Sequence, residues 1–127
     1  MATRIFLGLS ALLWLPYGIY CFFEPGSLTA AAGVTFTSPT GATDLRATYG
    51  GFTAALGGLA LLGALRGAWA RHALVALGTA CAGFGIARLL GTALDGGVGA
   101  YTTQALLFEF VTLALALWLL RRPAAAA

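Results

Sequence analysis

The sequence predicts an all-α polytopic membrane protein: a bundle of four transmembrane helices with both termini on the cytoplasmic side. Three observations carry that expectation. The 127 residues are 60% hydrophobic and 9% charged, with a mean hydropathy of +0.90, whereas an ordinary soluble domain is about 25% charged. Four apolar stretches, at 5–23, 45–65, 73–90 and 101–120, are each close to the roughly 20 residues that cross a bilayer core as helix. None alternates apolar with polar residues as a barrel strand does, and only helices and closed barrels satisfy their backbone in lipid. Together these stretches use most of the chain, so 1–127 reads as one domain with no room for a soluble catalytic one.

The first span opens behind Arg4 and carries Trp14, Pro16, Tyr17 and Tyr20 before ending near Glu24. A cleaved signal sequence is its rival, since Ala30, Ala31 and Ala32 offer small residues downstream. The apolar run exceeds the roughly 7–15 residues of a signal core, and Pro16, the tyrosines and Glu24 fit one poorly, which favours a retained helix. The connection 24–44 is long for so small a chain. It holds the alternating Val34-Thr35-Phe36-Thr37 ahead of Ser38-Pro39 and no charge between Glu24 and Asp44, so it suits the membrane surface or a cover over the outer helix ends. The second and third spans are joined at 66–72, the third and fourth at the glycine-rich 91–100 with its Asp95-Gly96 turn signal.

All seven basic residues are arginine, and lysine and asparagine are absent, a composition that suggests a GC-rich bacterial gene. Arg4, Arg66, Arg71, Arg121 and Arg122 fall on one side of the four-span topology, and the positive-inside rule makes that side cytoplasmic. The expected location is the bacterial inner membrane. Glu24, Asp44 and Asp95 then lie at the outer face, and Trp69, Tyr101 and Trp118 fall near span boundaries, where amphipathic rings settle. The scattered arginines are no nucleic-acid footprint, which needs clustered cations on a soluble face.

Packing signals are abundant. Small residues recur four apart at Gly50 and Ala54, Gly51 and Ala55, Ala54 and Gly58, and Gly83 and Ala87, a spacing that lets helix backbones approach closely in lipid. Gly50, Gly51, Gly58 and Gly83 are the expected helix-packing positions, within one chain or between copies. Cys21 and Cys81 fall at different depths, which opposes a disulfide, and read as small apolar packing residues. No cofactor motif or metal-ligand set is present; His72 stands alone beside Arg71.

An ionisable group inside a membrane span is expensive and marks a site by default. Glu109 lies eight residues into the fourth span, about 12 Å below its outer end at 1.5 Å per residue. Arg88 and Arg46 lie just inside the outer ends of the third and second spans. Arg46, Tyr49, Gly50 and Thr53 share one helix face, as do Cys81, Phe84, Gly85 and Arg88, and as do Thr102, Ala105, Glu109, Thr112 and Ala116. Turned toward a common interior, these faces bring Arg46 or Arg88 to the Glu109 carboxylate, with Tyr49 adding a hydroxyl. One reading is an ion pair that fixes helix register. Another is an outward polar pocket whose arginines bind a carboxylate, phosphate or lipid headgroup. Catalysis has less behind it, because no nucleophile and base accompany Glu109.

At Arg46-Ala47-Thr48-Tyr49-Gly50-Gly51, followed by Arg88, Asp95-Gly96 and Glu109, the chain resembles a bacterial family of small four-helix membrane proteins described only as a domain of unknown function (DUF4345-like). The resemblance runs from the first span through the fourth. It implies a four-helix inner-membrane fold in which Arg46, Tyr49, Arg88 and Glu109 belong together, and it implies no activity. The expectation is therefore a small integral membrane protein that meets membrane lipid and binds a lipid-like or anionic small molecule at an outer-leaflet Arg/Glu/Tyr cluster. The alternatives are a dimeric small-molecule transporter, an accessory subunit of a larger membrane complex, and an intramembrane enzyme on a lipophilic substrate.

Overall fold

A computed structural model describes residues 1–122, and every regular element among them is helical. The order is α1 (Ala2–Phe23), α2 (Ser27–Ala32), α3 (Pro39–Leu45), a π-helical segment (Arg46–Phe52), α4 (Thr53–Leu65), α5 (Gly67–Asp95) and α6 (Ala100–Arg121). From α3 through α4 the helix is continuous over Pro39–Leu65. That stretch and α1, α5 and α6 are four helices long and apolar enough to cross a membrane. Their outward faces are apolar as well: Leu12 on α1 is 71% exposed and Leu107 on α6 is 67% exposed. Helices apolar all round belong in a core or in lipid rather than at a water boundary.

Helix ends extend past the expected spans for identifiable reasons. The second span starts at Pro39 rather than 45, because Ser38 caps it: its Oγ accepts from the Gly41 amide at 3.1 Å, and Pro39 takes the first helical position, where no amide is needed. The expected connection at 66–72 shrinks to Arg66, since α5 begins at Gly67. At its other end α5 runs to Asp95 and stops at Gly96, whose φ of +69° is open to glycine at little cost. Within the long first connection α2 forms and ends on Gly33, and the alternating Val34-Thr35-Phe36-Thr37 makes no strand.

The chain falls into two compact units, one of Met1–Ala70 and one from Arg71 onward. In the first, α1 runs antiparallel to the π segment and α4 at backbone contact. A Cβ added to Gly50 would lie 2.8 Å from Phe22 Cβ, one on Gly18 would lie 2.8 Å from Ala54 Cα, and one on Gly57 would lie 2.7 Å from Leu15 Cα. As the position on α1 falls from Phe22 through Gly18 to Leu15, its partner climbs from Gly50 through Ala54 to Gly57. That is one turn-by-turn seam of two antiparallel helices. Gly50 thus lies in that seam. By contrast, Gly51 meets only the Arg46 carbonyl of its own helix at 3.8 Å, and a Cβ at Gly58 or Gly83 meets nothing within 4 Å. Close approaches fall also at Gly18, which faces the main chain of Ala54 and Gly50, and at Gly57, which faces Leu15.

In the second unit α5 and α6 are joined by a short turn and also run antiparallel. Gly78 faces Ala116, with an added Cβ 3.5 Å from its methyl, and Gly85 faces the Phe110 ring at 3.1 Å. The buried face of α5 is Ala73, Leu74, Leu77, Gly78, Cys81 and Gly85, and that of α6 is Glu109, Thr112, Ala116 and Leu119. Both recur at three, four and seven residues, as one face of a helix must.

Gly18→Ala and Gly57→Ala are each expected to lower stability in detergent by about 1–3 kcal/mol, the usual cost of overpacking, because backbone atoms cannot swing aside. Gly58→Ala, with open space around it, should be neutral or gain up to about 1 kcal/mol of helix propensity. Thermal unfolding followed by circular dichroism separates them, and equal losses at all three positions would contradict the close approach at Gly18 and Gly57.

Candidate functional site

Of the ionisable residues expected inside the spans, Arg88 and Glu109 meet. The Arg88 Nη2 lies 2.9 Å from Glu109 Oε1, and its Nε donates to Oε1 at 3.1 Å and to Oε2 at 3.3 Å. One edge of the guanidinium thus grips the carboxylate, the two-point geometry that makes arginine the stronger partner for such a group. The Glu109 side chain is 6% exposed and that of Arg88 26%. Arg88 sits seven residues before the end of α5 and Glu109 nine after the start of α6, so the antiparallel hairpin alone brings them level.

Tyr101, in the first turn of α6, lies on the side of the pair toward the α5–α6 turn. The Arg88 guanidinium carbon is 5.8 Å from its ring centroid, within reach of the attraction between a cation and an aromatic face. Sequence reasoning placed Tyr101 only as a boundary ring; its spacing of eight from Glu109, two turns along one face, was the signal that joined them. On the other side the Cys81 thiol lies by the Thr112 side chain. Arg88, Glu109, Thr112 and Cys81 therefore form a polar seam between otherwise apolar helices.

Arg46 and Tyr49 belong to the first unit. Arg46 Nε donates to the Phe22 carbonyl at 3.1 Å. Phe22 is the second-to-last residue of α1, where carbonyls lack an intrahelical donor, and α1 has no basic residue in its own last turn. Arg46 thus supplies from a neighbouring helix the cation that a helix C-terminus favours. Gly50, four residues on, receives the Phe22 backbone, so two residues of the Arg-Ala-Thr-Tyr-Gly-Gly string close α1 against the π segment. Tyr49 is half-buried beside it. Among the described residues no group of three or more His, Cys, Asp or Glu side chains is placed to hold a metal. Cys21 and Cys81 are free thiols, both buried.

Removing one partner of a buried ion pair strands the other charge, so Glu109→Ala should destabilise by about 3–5 kcal/mol. Replacing both, as Arg88→Met with Glu109→Leu, should recover most of that loss. A double-mutant cycle on unfolding in detergent reads the coupling, and a value near zero would mean that the pair does not hold α5 to α6.

A family model described as "Domain of unknown function (DUF4345)" matches residues 2–120. No curated protein and no solved structure matches the chain.

Proposed function

The chain belongs to the DUF4345 family, and from that premise we propose a multi-pass membrane protein that binds a lipid-like or anionic small molecule where Arg88 and Tyr101 cap Glu109. Its four helices cross the bilayer with both ends on the cytoplasmic side. Supporting that orientation, Arg4, Arg66, Arg71, Arg121 and Arg122 stand at the helix ends that share one side in a four-span topology, while Glu24, Asp44 and Asp95 stand at the others. The ion pair then lies in the outer half of the bilayer.

The observation that carries the binding reading is the unequal burial within the pair. Glu109 is sealed between α5 and α6, whereas Arg88, held in a fixed plane by that carboxylate, keeps a quarter of its surface open beneath an aromatic ring. A guanidinium so oriented suits a planar carboxylate or a phosphate, and the tyrosine ring suits the apolar part of the same molecule. Glu109 acts as a positioning residue, setting the guanidinium plane.

Native mass spectrometry of protein released from mild detergent tests this. Wild type should carry a bound small molecule or specific lipid that Glu109→Gln releases while its helical circular dichroism is retained. A clean apo species, unchanged by the substitution, would leave the pair as a helix clasp and nothing more.

Orientation is tested separately by cysteine labelling, with little background from the fully buried Cys21 and Cys81. Glu24→Cys and Gly97→Cys should react with a membrane-impermeant maleimide from outside the cell, and Arg66→Cys only after lysis. The reverse pattern would invert the topology.

A further inference from the structure

A connection of 15 residues, 24–38, joins α1 to α3 and carries the short α2. We infer that its residues 25–34 form a membrane-surface segment, seated in the layer between lipid headgroups and acyl chains with the exposed side of α2 toward the lipid. The inference uses the membrane reading given above and is independent of the ligand site at Arg88.

Helix lengths set the depth. From Arg4 to the cap residue Glu24 is 20 residues along α1, about 30 Å at 1.5 Å per residue, which is the thickness of a bilayer core. With one charge at each edge of the hydrocarbon, the connection begins where acyl chains give way to headgroups. Phe22 and Phe23, the last residues before it, are 47% and 69% exposed and carry the apolar side of α1 up to that edge. The other end of the connection lies further out. Phe22 faces Gly50, and Pro39 stands 11 residues before Gly50 in the same continuous helix, roughly 15 Å beyond it. Between Glu24 and Pro39 the chain therefore crosses the headgroup layer, and 25–34 is the part of it that leaves from the hydrocarbon edge.

The chemistry of 25–34 suits that layer. No charge occurs between Glu24 and Asp44, and the only polar side chains within 25–34 are Ser27 and Thr29. Thr29 Oγ1 donates to the Val34 carbonyl at 2.8 Å, so its hydroxyl is used inside the segment. The backbone closes on itself as well. The Ser27, Leu28 and Thr29 amides donate to the Glu24, Pro25 and Gly26 carbonyls. Gly33, at φ +70°, then turns the chain so that its own amide reaches the Thr29 carbonyl and the Val34 amide reaches that of Leu28. A loop in water can leave such groups to solvent, whereas toward lipid each unpaired one costs hydration that nothing restores. Pro25 and Leu28 are buried and fasten the segment to the protein, while Ala30, on the opposite side of α2 from Leu28, and Ala31 are exposed. The open side is thus small, apolar and uncharged, and the boundary between headgroups and acyl chains is where such a face settles.

Spin labelling of the full chain in phosphatidylcholine nanodiscs tests the placement. Single cysteines replace three exposed residues: Ala30, Leu12 midway along α1, and Gly97 in the α5–α6 turn. Cys21 and Cys81 are fully buried and add little background. Power saturation then compares collisions with oxygen, which gathers in hydrocarbon, and with a water-soluble nickel chelate. The oxygen-to-chelate ratio should be several-fold higher for Ala30→Cys than for Gly97→Cys, and highest for Leu12→Cys. Equal ratios for Ala30→Cys and Gly97→Cys would put α2 in water and overturn the inference. A label at Ala30→Cys shielded from both reagents would overturn it in favour of a cover packed on the protein. Chelate access at Leu12→Cys matching that at Gly97→Cys would instead overturn the membrane reading on which the inference rests.

Discussion

One carboxylate set between two apolar helices constrains everything around it. Glu109 is nearly sealed from solvent, and a charge in such a place is tolerable only with a partner at hydrogen-bonding distance. Arg88 is that partner, and its length and forked geometry admit few relative positions of α5 and α6. Gly85 allows the Phe110 ring to close against α5 one turn from Arg88, and Gly78 lets Ala116 in two turns further on. An apolar interface alone would slide between neighbouring registers at little cost, because apolar attraction has no preferred direction. The ion pair removes that freedom, since a shift of one turn would pull the guanidinium from the carboxylate.

The first unit reaches the same end by different means. Between α1 and the π segment with α4 no charged pair is used; glycines bring backbones together at Gly18, Gly50 and Gly57. Arg46 adds a single charged hydrogen bond, aimed at a carbonyl that α1 itself cannot satisfy. Direction matters here: a cation at a helix C-terminus lowers the energy of that end, whereas an acid there would raise it. The π-helical turn is part of the same closure, because it presents Arg46 and Gly50 to the one residue, Phe22, at which α1 runs out.

The existence of the four long helices was legible because hydropathy marks them without ambiguity, but their ends were not. A hydropathy run reports what a bilayer core would tolerate, whereas a helix continues wherever its backbone bonds can, through Arg71 and His72 as readily as through leucine. Ser38-Pro39 did hold a readable start, a capping hydroxyl before a proline, which the polar character of its surroundings disguised as loop. Within the site, three- and four-residue spacing was enough to put Arg88, Cys81 and Gly85 on one face and Glu109 and Thr112 on another. It left open which arginine would reach Glu109, because that depends on how α5 and α6 dock. Gly18 and Gly57 escaped a search for small residues four apart along one helix; their partners, Ala54 with Gly50 and Leu15, lie on another helix, and spacing within one helix does not report them. The π segment over Arg46–Phe52 was equally hidden, since hydropathy and spacing do not tell a π turn from an α turn.

The polar seam of α5 and α6 has a direction, and that bears on what these two helices can do. From Tyr101 it passes through Arg88 and Glu109 to Thr112 and Cys81, and there it ends. Beyond it Gly78 faces Ala116, and the other buried residues, Leu74, Leu77 and Leu119, bear no side-chain polar atom. A charge displaced from the ion pair toward these residues would shed hydrogen bonds without replacement, which fixes the pair at its own level of the hairpin.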